Sequence, residues 1–204
     1  MNKSVITKLK NKIELIGDSG NTLIIGVFHG DEPQGKFLIE EYLKNNDTNG
    51  LIFIPCLNPD GLQLKTRTNS NGVDLNRNFP TKNWELTEKD EFFGGMSAGS
   101  EIETQFLIDT INEFKPDLIL TLHAPYKIVN YDGPAKEISE KISEIINYPL
   151  EPSIGYPTPG SFGTYAGIER EIPTITLELD EECPVEDLIK PVHKIFDLLK
   201  KAAY

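Results

Sequence analysis

Apolar residues cluster in short runs, and the stretches between them carry helical periodicity. The runs are KIELI at 12–16, TLIIGVF at 22–28, GLIFIP at 50–55, DLILTL at 117–122 and PTITLEL at 173–179. They are rich in Ile, Leu and Val and do not alternate cleanly with polar residues. That pattern predicts strands covered on both faces, as in an α/β sheet. Residues 34–45 carry Phe37, Leu38 and Tyr42 at helical spacing, and 101–114 carry Ile102, Phe106, Ile108 and Ile111. Ser100 with Glu103 three positions on spells a capping box ahead of that second helix. Residues 135–147 put Ile138, Ile142 and Ile145 on one stripe, and 185–200 do the same with Val185 through Leu199, opened by Pro184. Strands alternating with helices predict a three-layer α/β/α sandwich.

Two long segments, 56–99 and 148–167, are instead dense in turn formers. Loops of that length inside a compact domain usually carry function. In open α/β sheets such sites form beyond the carboxyl ends of the strands. The length of 204 residues suits one domain with a real core, spanning 1–204. A net charge of −12 argues against nucleic acid and anionic membrane as partners. No run approaches the length of a membrane span. The N-terminal lysines, Lys3, Lys8, Lys10 and Lys12, have no continuous apolar segment behind them, so no secretory signal is predicted and the expected location is cytoplasmic. Cys56 and Cys183 make neither a disulfide framework nor a zinc knuckle, and are read as reduced thiols.

The chemistry begins where the strands stop. The run 22–28 ends in His29, with Glu32 three positions later. An isolated pair of this kind is more often a capping acid beside a surface histidine. The run 117–122, however, also ends in a histidine, His123. Zinc takes imidazole and carboxylate ligands, and a catalytic zinc usually has three of them plus water. The third histidine, His193, lies in the amphipathic C-terminal helix and reads as an ordinary helix residue. Glu178 interrupts an apolar strand, where a charge needs a partner or a purpose, and is the candidate proton carrier. The loop NPDGLQLKTRTNSNGVDLNRNFP, 58–80, places Arg67, Asn76 and Arg77 among few acids. Arg77 beside Asn76 offers a planar fork and an amide for a carboxylate, and Arg67 a donor for an oxyanion.

HGDE at 29–32, NPDG at 58–61, GVDLNRNFP at 72–80, the strand-ending His123 and TLEL around Glu178 together resemble the zinc metallocarboxypeptidases. The motifs run in family order from about residue 23 to 180. TRTNSNGVDLNRNFP, HAP at 123–125 and PTPGSFGTYAG at 157–167 are most similar to the compact bacterial murein peptide amidases. The resemblance implies a mixed, largely parallel sheet and one zinc ion per chain, bound by His29, Glu32 and His123. It implies Glu178 as general base, Arg67 at the oxyanion, Asn76 and Arg77 on the free carboxylate of the departing residue, and Asp74 as the acid orienting the first zinc histidine. It also implies a substrate-facing tyrosine, for which Tyr156 is the choice and Tyr165 the rival. The implied substrate is a small peptide, the murein tripeptide being the candidate, cut at the γ-D-glutamyl–diaminopimelate bond. No pro-domain is expected. The alternative is an N-acyl-amino-acid hydrolase of the aspartoacylase or succinylglutamate desuccinylase kind, which shares the HxxE and DLNR elements. A catalytically dead binding domain would have lost Glu178 or a ligand, and neither is lost.

Overall fold

The computed structural model describes residues 3–17, 20–152 and 158–201. A six-stranded sheet lies at its centre. The strands are β3 (Gly20–Gly26), β4 (Gly50–Ile54), β5 (Leu118–His123), β6 (Ile128–Asp132), β7 (Leu150–Glu151) and β8 (Thr174–Glu178), in the order β4-β3-β5-β8-β6-β7. β4, β3, β5 and β8 run parallel; β6 pairs antiparallel with β8 and parallel with β7. The sheet is thus mixed and largely parallel. The two short strands before it, β1 (Ser4–Ile6) and β2 (Lys12–Glu14), form a separate antiparallel hairpin. The expected strand 12–16 therefore lies outside the central sheet; it packs Ile13 and Leu15 against it and joins it through a bridge from Ile16 to Phe53.

One face of the sheet is covered by α1 (Gln34–Leu43), α4 (Lys136–Ile146) and α5 (Val185–Lys201), whose apolar stripes meet Ile24, Phe53, Leu120, Leu122, Ile175 and Leu177. The other face meets α3 (Ile102–Phe114) together with the β1–β2 hairpin and the long loop, through Leu23, Ile25, Phe28, Leu75, Phe79 and Phe162. Strand parity assigns each side chain to its layer. Leu120, Leu122 and Leu177 face the first layer, so Thr121, His123, Thr176 and Glu178 face the second.

The capping box at α3 does not form. The N-cap is Glu101, Ser100 Oγ donates to the Glu101 carboxylate at 2.6 Å, and Asn69 Nδ2 bonds both Glu101 and Glu103. Tertiary bonds to the long loop outcompete the local cap. That loop also holds a short helix, α2 (Pro59–Leu64), capped by Asn58, whose Oδ1 accepts from the Gly61 amide at 2.9 Å. His193 Nε2 donates to the Leu38 carbonyl, 3.0 Å away, within the α1–α5 contact. Cys56 and Cys183 are free. Among the described residues no helix is long and apolar enough to cross a membrane.

Candidate active site

The parallel strands deliver their carboxyl ends to one edge. His123 and Glu178 are the last residues of β5 and β8, and they are register partners. Past the end of β3 the chain turns sharply at Val27, whose φ of 56° is unusual for a β-branched residue. Such a conformation costs on the order of 1–3 kcal/mol and persists only when its surroundings over-determine it. Here the Val27 carbonyl accepts from the Asn58 amide at 2.9 Å, and the Phe28 carbonyl accepts from Asn58 Nδ2 at 3.2 Å. Asn58 Nδ2 also reaches the Arg67 carbonyl at 3.3 Å. The NPDG asparagine thus caps α2 and ties two site loops together, a positioning task that the motif alone does not reveal. Gly30 follows at a close approach: a Cβ there would lie 1.9 Å from the Gly61 carbonyl carbon. Only glycine fits.

These constraints aim three side chains at one point. His29 Nδ1 lies 2.7 Å from Glu32 Oε1, and His123 Nδ1 lies 3.1 Å from Glu32 Oε2. One ligand atom from each of the three falls within 4.8 Å of the others, and all three residues are largely buried. Burial lowers the proton affinity of His29, but the charges of Asp74 and Glu32 outweigh it and raise its pKa to about 9. Burial raises Glu32, yet His29 and His123 pull it down to about 2. The pocket therefore favours positive charge between its donors. A cation with nitrogen and oxygen preferences fits that donor set, displacing the proton from Nδ1 as it binds.

Asp74 stands behind the trio and is fully buried. Its Oδ1 contacts His29 Nε2 at 3.2 Å and accepts from the Asn76 amide at 2.8 Å. Its Oδ2 accepts from Arg67 Nε and Nη2 at 3.1 and 3.0 Å. Burial opposes its charge, but His29, Arg67 and Arg77 hold it well below the usual carboxylate range. The contact keeps a ring proton of His29 on Nε2, so that Nδ1, facing Glu32 and His123, is the nitrogen that would give up its proton to a cation. Arg67 Nη1 is 3.9 Å from Glu32, and the Phe92 ring lies across both Arg67 and Arg77, 5.1 and 5.9 Å from their guanidinium carbons. Among the described residues the Arg77 guanidinium bonds only the Asn76 carbonyl, at 2.7 Å, and the side chain lines the cleft. Asn76 Oδ1 accepts from the Phe162 amide at 2.9 Å, which turns its NH2 group to the same side.

Glu178 is pressed between the trio and a second cavity. Burial raises its pKa, and Oε2 is buried with no hydrogen-bond partner. A cavity of about 360 Å³ holds His29, Glu32, Arg67, Arg77 and Tyr126. A second, of about 140 Å³, runs behind it, lined by Thr121, Asn130, Asp132, Ser161 and Gly163. Asn76, His123 and Glu178 line both.

Eight of the nine residues singled out from the sequence thus lie around one cleft. Tyr156 lies outside the described residues. Its rival Tyr165 faces the interior instead: it is buried, packs on Phe79, and its ring lies 3.4 Å under the Arg170 guanidinium. Lys127 pairs with Asp180 at 2.8 Å rather than reaching into the cleft. Two features were not foreseen from the sequence. Phe92 carried no motif, and Asp132 sits in a strand, β6, too polar to be recognised.

A profile of the zinc carboxypeptidases matches residues 22–149. The chain belongs to the zinc carboxypeptidase family. As a member it is a hydrolase, a zinc-dependent metallopeptidase. The murein peptide amidase A of Escherichia coli K12 is 34% identical over 174 residues, covering 76% of this chain and 72% of that protein. The solved murein-tripeptide amidase of Escherichia coli O157 superposes with a TM-score of 0.86 at 28% identity, over 98% of this chain and 91% of that one. Carboxypeptidase A of Helicoverpa armigera, at 16% identity and a TM-score of 0.78 over 99% of this chain and 69% of that one, shares the zinc carboxypeptidase fold.

Proposed function

We propose that the cleft hydrolyses the amide joining an acyl group to a residue with a free carboxylate, and that its substrate is a murein peptide cut between γ-D-glutamate and diaminopimelate. The observation that carries the reaction type is the buried, unpartnered oxygen of Glu178 at the junction of the two cavities, beside His123. A carboxylate that accepts from the Tyr126 amide, keeps one oxygen unbonded and is raised by burial is suited to take and return a proton. The murein substrate rests on the similarity to the amidases named above. In this reading residues 1–204 form one catalytic domain.

His29, Glu32 and His123 hold one zinc per chain. When bound, zinc acidifies water toward a pKa of about 7 and polarises the scissile carbonyl. Glu178 accepts the proton of the attacking water and then delivers it to the departing amine. Arg67, held by Asp74, donates to the carbonyl oxygen as negative charge grows there. Arg77 and the Asn76 amide grip the departing residue's carboxylate, which fixes the amide over Glu178. Asp74 keeps the His29 ring in one tautomer.

The test is a mass-spectrometric assay of the zinc-loaded protein on L-Ala-γ-D-Glu-diaminopimelate, ordinary C-terminal L-peptides and N-acetyl amino acids in parallel. Release of diaminopimelate at the highest kcat/KM is expected. Preferential release of acetate or succinate from acyl amino acids would instead make the chain an acyl-amino-acid hydrolase.

A further inference from the structure

One aromatic ring at the cleft has no part in the chemistry described above. Phe92 is 43% exposed and belongs to neither apolar core. It lines the cleft of about 360 Å³ and also a neighbouring cavity of about 480 Å³. A single exposed apolar side chain is ordinary. What sets this one apart is its company. The ring centroid lies 5.1 Å from the Arg67 guanidinium carbon and 5.9 Å from that of Arg77. A cation within about 6 Å of an aromatic face is attracted to it. One ring therefore serves both cations.

The backbone around Phe92 is pinned. The Phe93 carbonyl accepts from the Asp74 amide at 2.9 Å, and the Gly94 carbonyl accepts from Asn78 Nδ2 at 2.8 Å. A Cβ at Gly94 would fall 2.5 Å from the Arg77 carbonyl oxygen, so glycine alone lets the two segments lie this close. Asp90 Oδ1 accepts from the Phe92 amide at 2.8 Å, and Phe93, next in the chain, is buried. Residues 90–94 are thus fastened along 74–78, the stretch that carries Asp74, Asn76 and Arg77. The ring is fixed relative to the arginines and not carried on a free loop.

The two arginines have to be spaced for one substrate. In a peptide, only the α-carbon and the amide nitrogen separate the departing residue's carboxylate carbon from the scissile carbonyl carbon. Donors for both ends must stand close together, although both are cations and repel. Arg67 has the Asp74 carboxylate as its counter-charge. Arg77 is 7% exposed and forms no ion pair among the described residues. Resting on the hydrolytic reading above, we infer that Phe92 is a positioning residue: its π face holds the Arg67 and Arg77 guanidiniums at the spacing that one departing residue requires. The ring acts through the arginines and not by touching the substrate. It narrows the orientations of both planar forks, so less freedom is lost when the carboxylate and the growing oxyanion engage them. It also keeps water from one side of each, which strengthens the contacts they make.

The experiment measures kcat and KM for the zinc-loaded wild type, Phe92→Ala, Phe92→Leu and Phe92→Tyr. The substrates are L-Ala-γ-D-Glu-diaminopimelate and the same peptide amidated at the departing residue's α-carboxylate. Phe92→Ala should lower kcat/KM on the free-carboxylate peptide by about 10-fold, through both KM and kcat, because both arginines are loosened. On the amidated peptide only the loss in kcat, which runs through Arg67, should remain. Phe92→Tyr keeps the aromatic face and should stay within about 2-fold of the wild type, whereas Phe92→Leu keeps bulk alone and should resemble Phe92→Ala. With Arg77→Ala already present, adding Phe92→Ala should change KM by less than about 2-fold, since the two act as a unit. Unchanged kinetics in Phe92→Ala overturn the inference. So does rescue by leucine, which reduces the ring to packing. So does an undiminished KM effect in the Arg77→Ala background, which makes the ring a direct substrate contact. If the wild type cuts neither peptide, the hydrolytic reading fails, and calorimetric binding of free diaminopimelate decides the role of the ring. Binding about 10-fold weaker in Phe92→Ala supports that role. Equal binding, or none by either protein, overturns it.

Discussion

The two cavities that meet at Glu178 are built on opposite principles. In the larger one the candidate metal ligands and the groups behind them are held by one another. Asp74 alone takes contacts from His29, Arg67 and the Asn76 amide, and Glu32 bridges both histidines. In the smaller one Asp132 has no ion-pair partner among the described residues, and the close approach of Gly163 and Gly167 defines its seat. The difference teaches where rigidity is needed. Reacting groups must be held to a fraction of an ångström, because catalysis depends on orientation. The smaller cavity is instead shaped by close backbone approach at Gly163 and Gly167.

Substitutions should separate the two regions, the largest effects arising where the bonds are densest. His123→Ala should lose the metal and lower hydrolysis by more than about 10³-fold, since the Lewis acid goes with it. Metal analysis of the purified variant checks this, and full zinc content would remove His123 from the ligand set. Glu178→Gln should keep the metal and still bind substrate, yet lower kcat by roughly 10²–10⁴-fold, because an amide cannot carry the proton. Near-normal turnover would assign the base elsewhere. Arg77→Ala, at the boundary of the cavities, should lower kcat/KM by about 10–100-fold on free-carboxylate substrates and far less on their amidated counterparts. An equal loss on both would sink the carboxylate clamp.

The smallest expected effect lies behind the hydrolytic side, where Glu103 supports the loop through Asn69. Burial raises its pKa to about 7, helped by the charges of Glu101 and Asp60 and opposed by its hydrogen bonds. A raised carboxyl pKa means that the folded state disfavours the charge. The associated stability is present below its ordinary value near 4.5 and is lost as pH rises through about 7. Glu103→Gln keeps an acceptor for Asn69 and removes that loss. Its unfolding midpoint should exceed the wild type's by a few degrees at pH 8, with the gap closing below pH 4.5. A gap independent of pH would show that the carboxyl does not titrate in this way.

Legibility from the sequence followed the same division. His29, Glu32 and His123 stood out because strand-ending histidines break an apolar run, and the structure brings them to one point. Glu178 stood out as a charge inside a buried strand. β6 escaped notice because IVNYD is short and half polar; its face toward the cavity is polar by design of the site, not by exposure. The capping box at Ser100 misled because both glutamates behind it bond Asn69 from the distant loop. Tyr165 misled because a tyrosine's ring can serve the core as readily as a cleft.

By itself the chain's pattern determined the layered α/β class, the positions of the main strands and helices, and the chemical identity of the reactive edge. Those depend on local periodicity and on residue types that few other roles would place at strand ends. Only the tertiary structure decided that the first apolar run, 12–16, belongs to a separate hairpin, that β6 runs against β8, and that Asp132 shares a cavity with Glu178. Each of these rests on pairing between segments far apart in sequence, where register and burial, rather than composition, set which side chains meet.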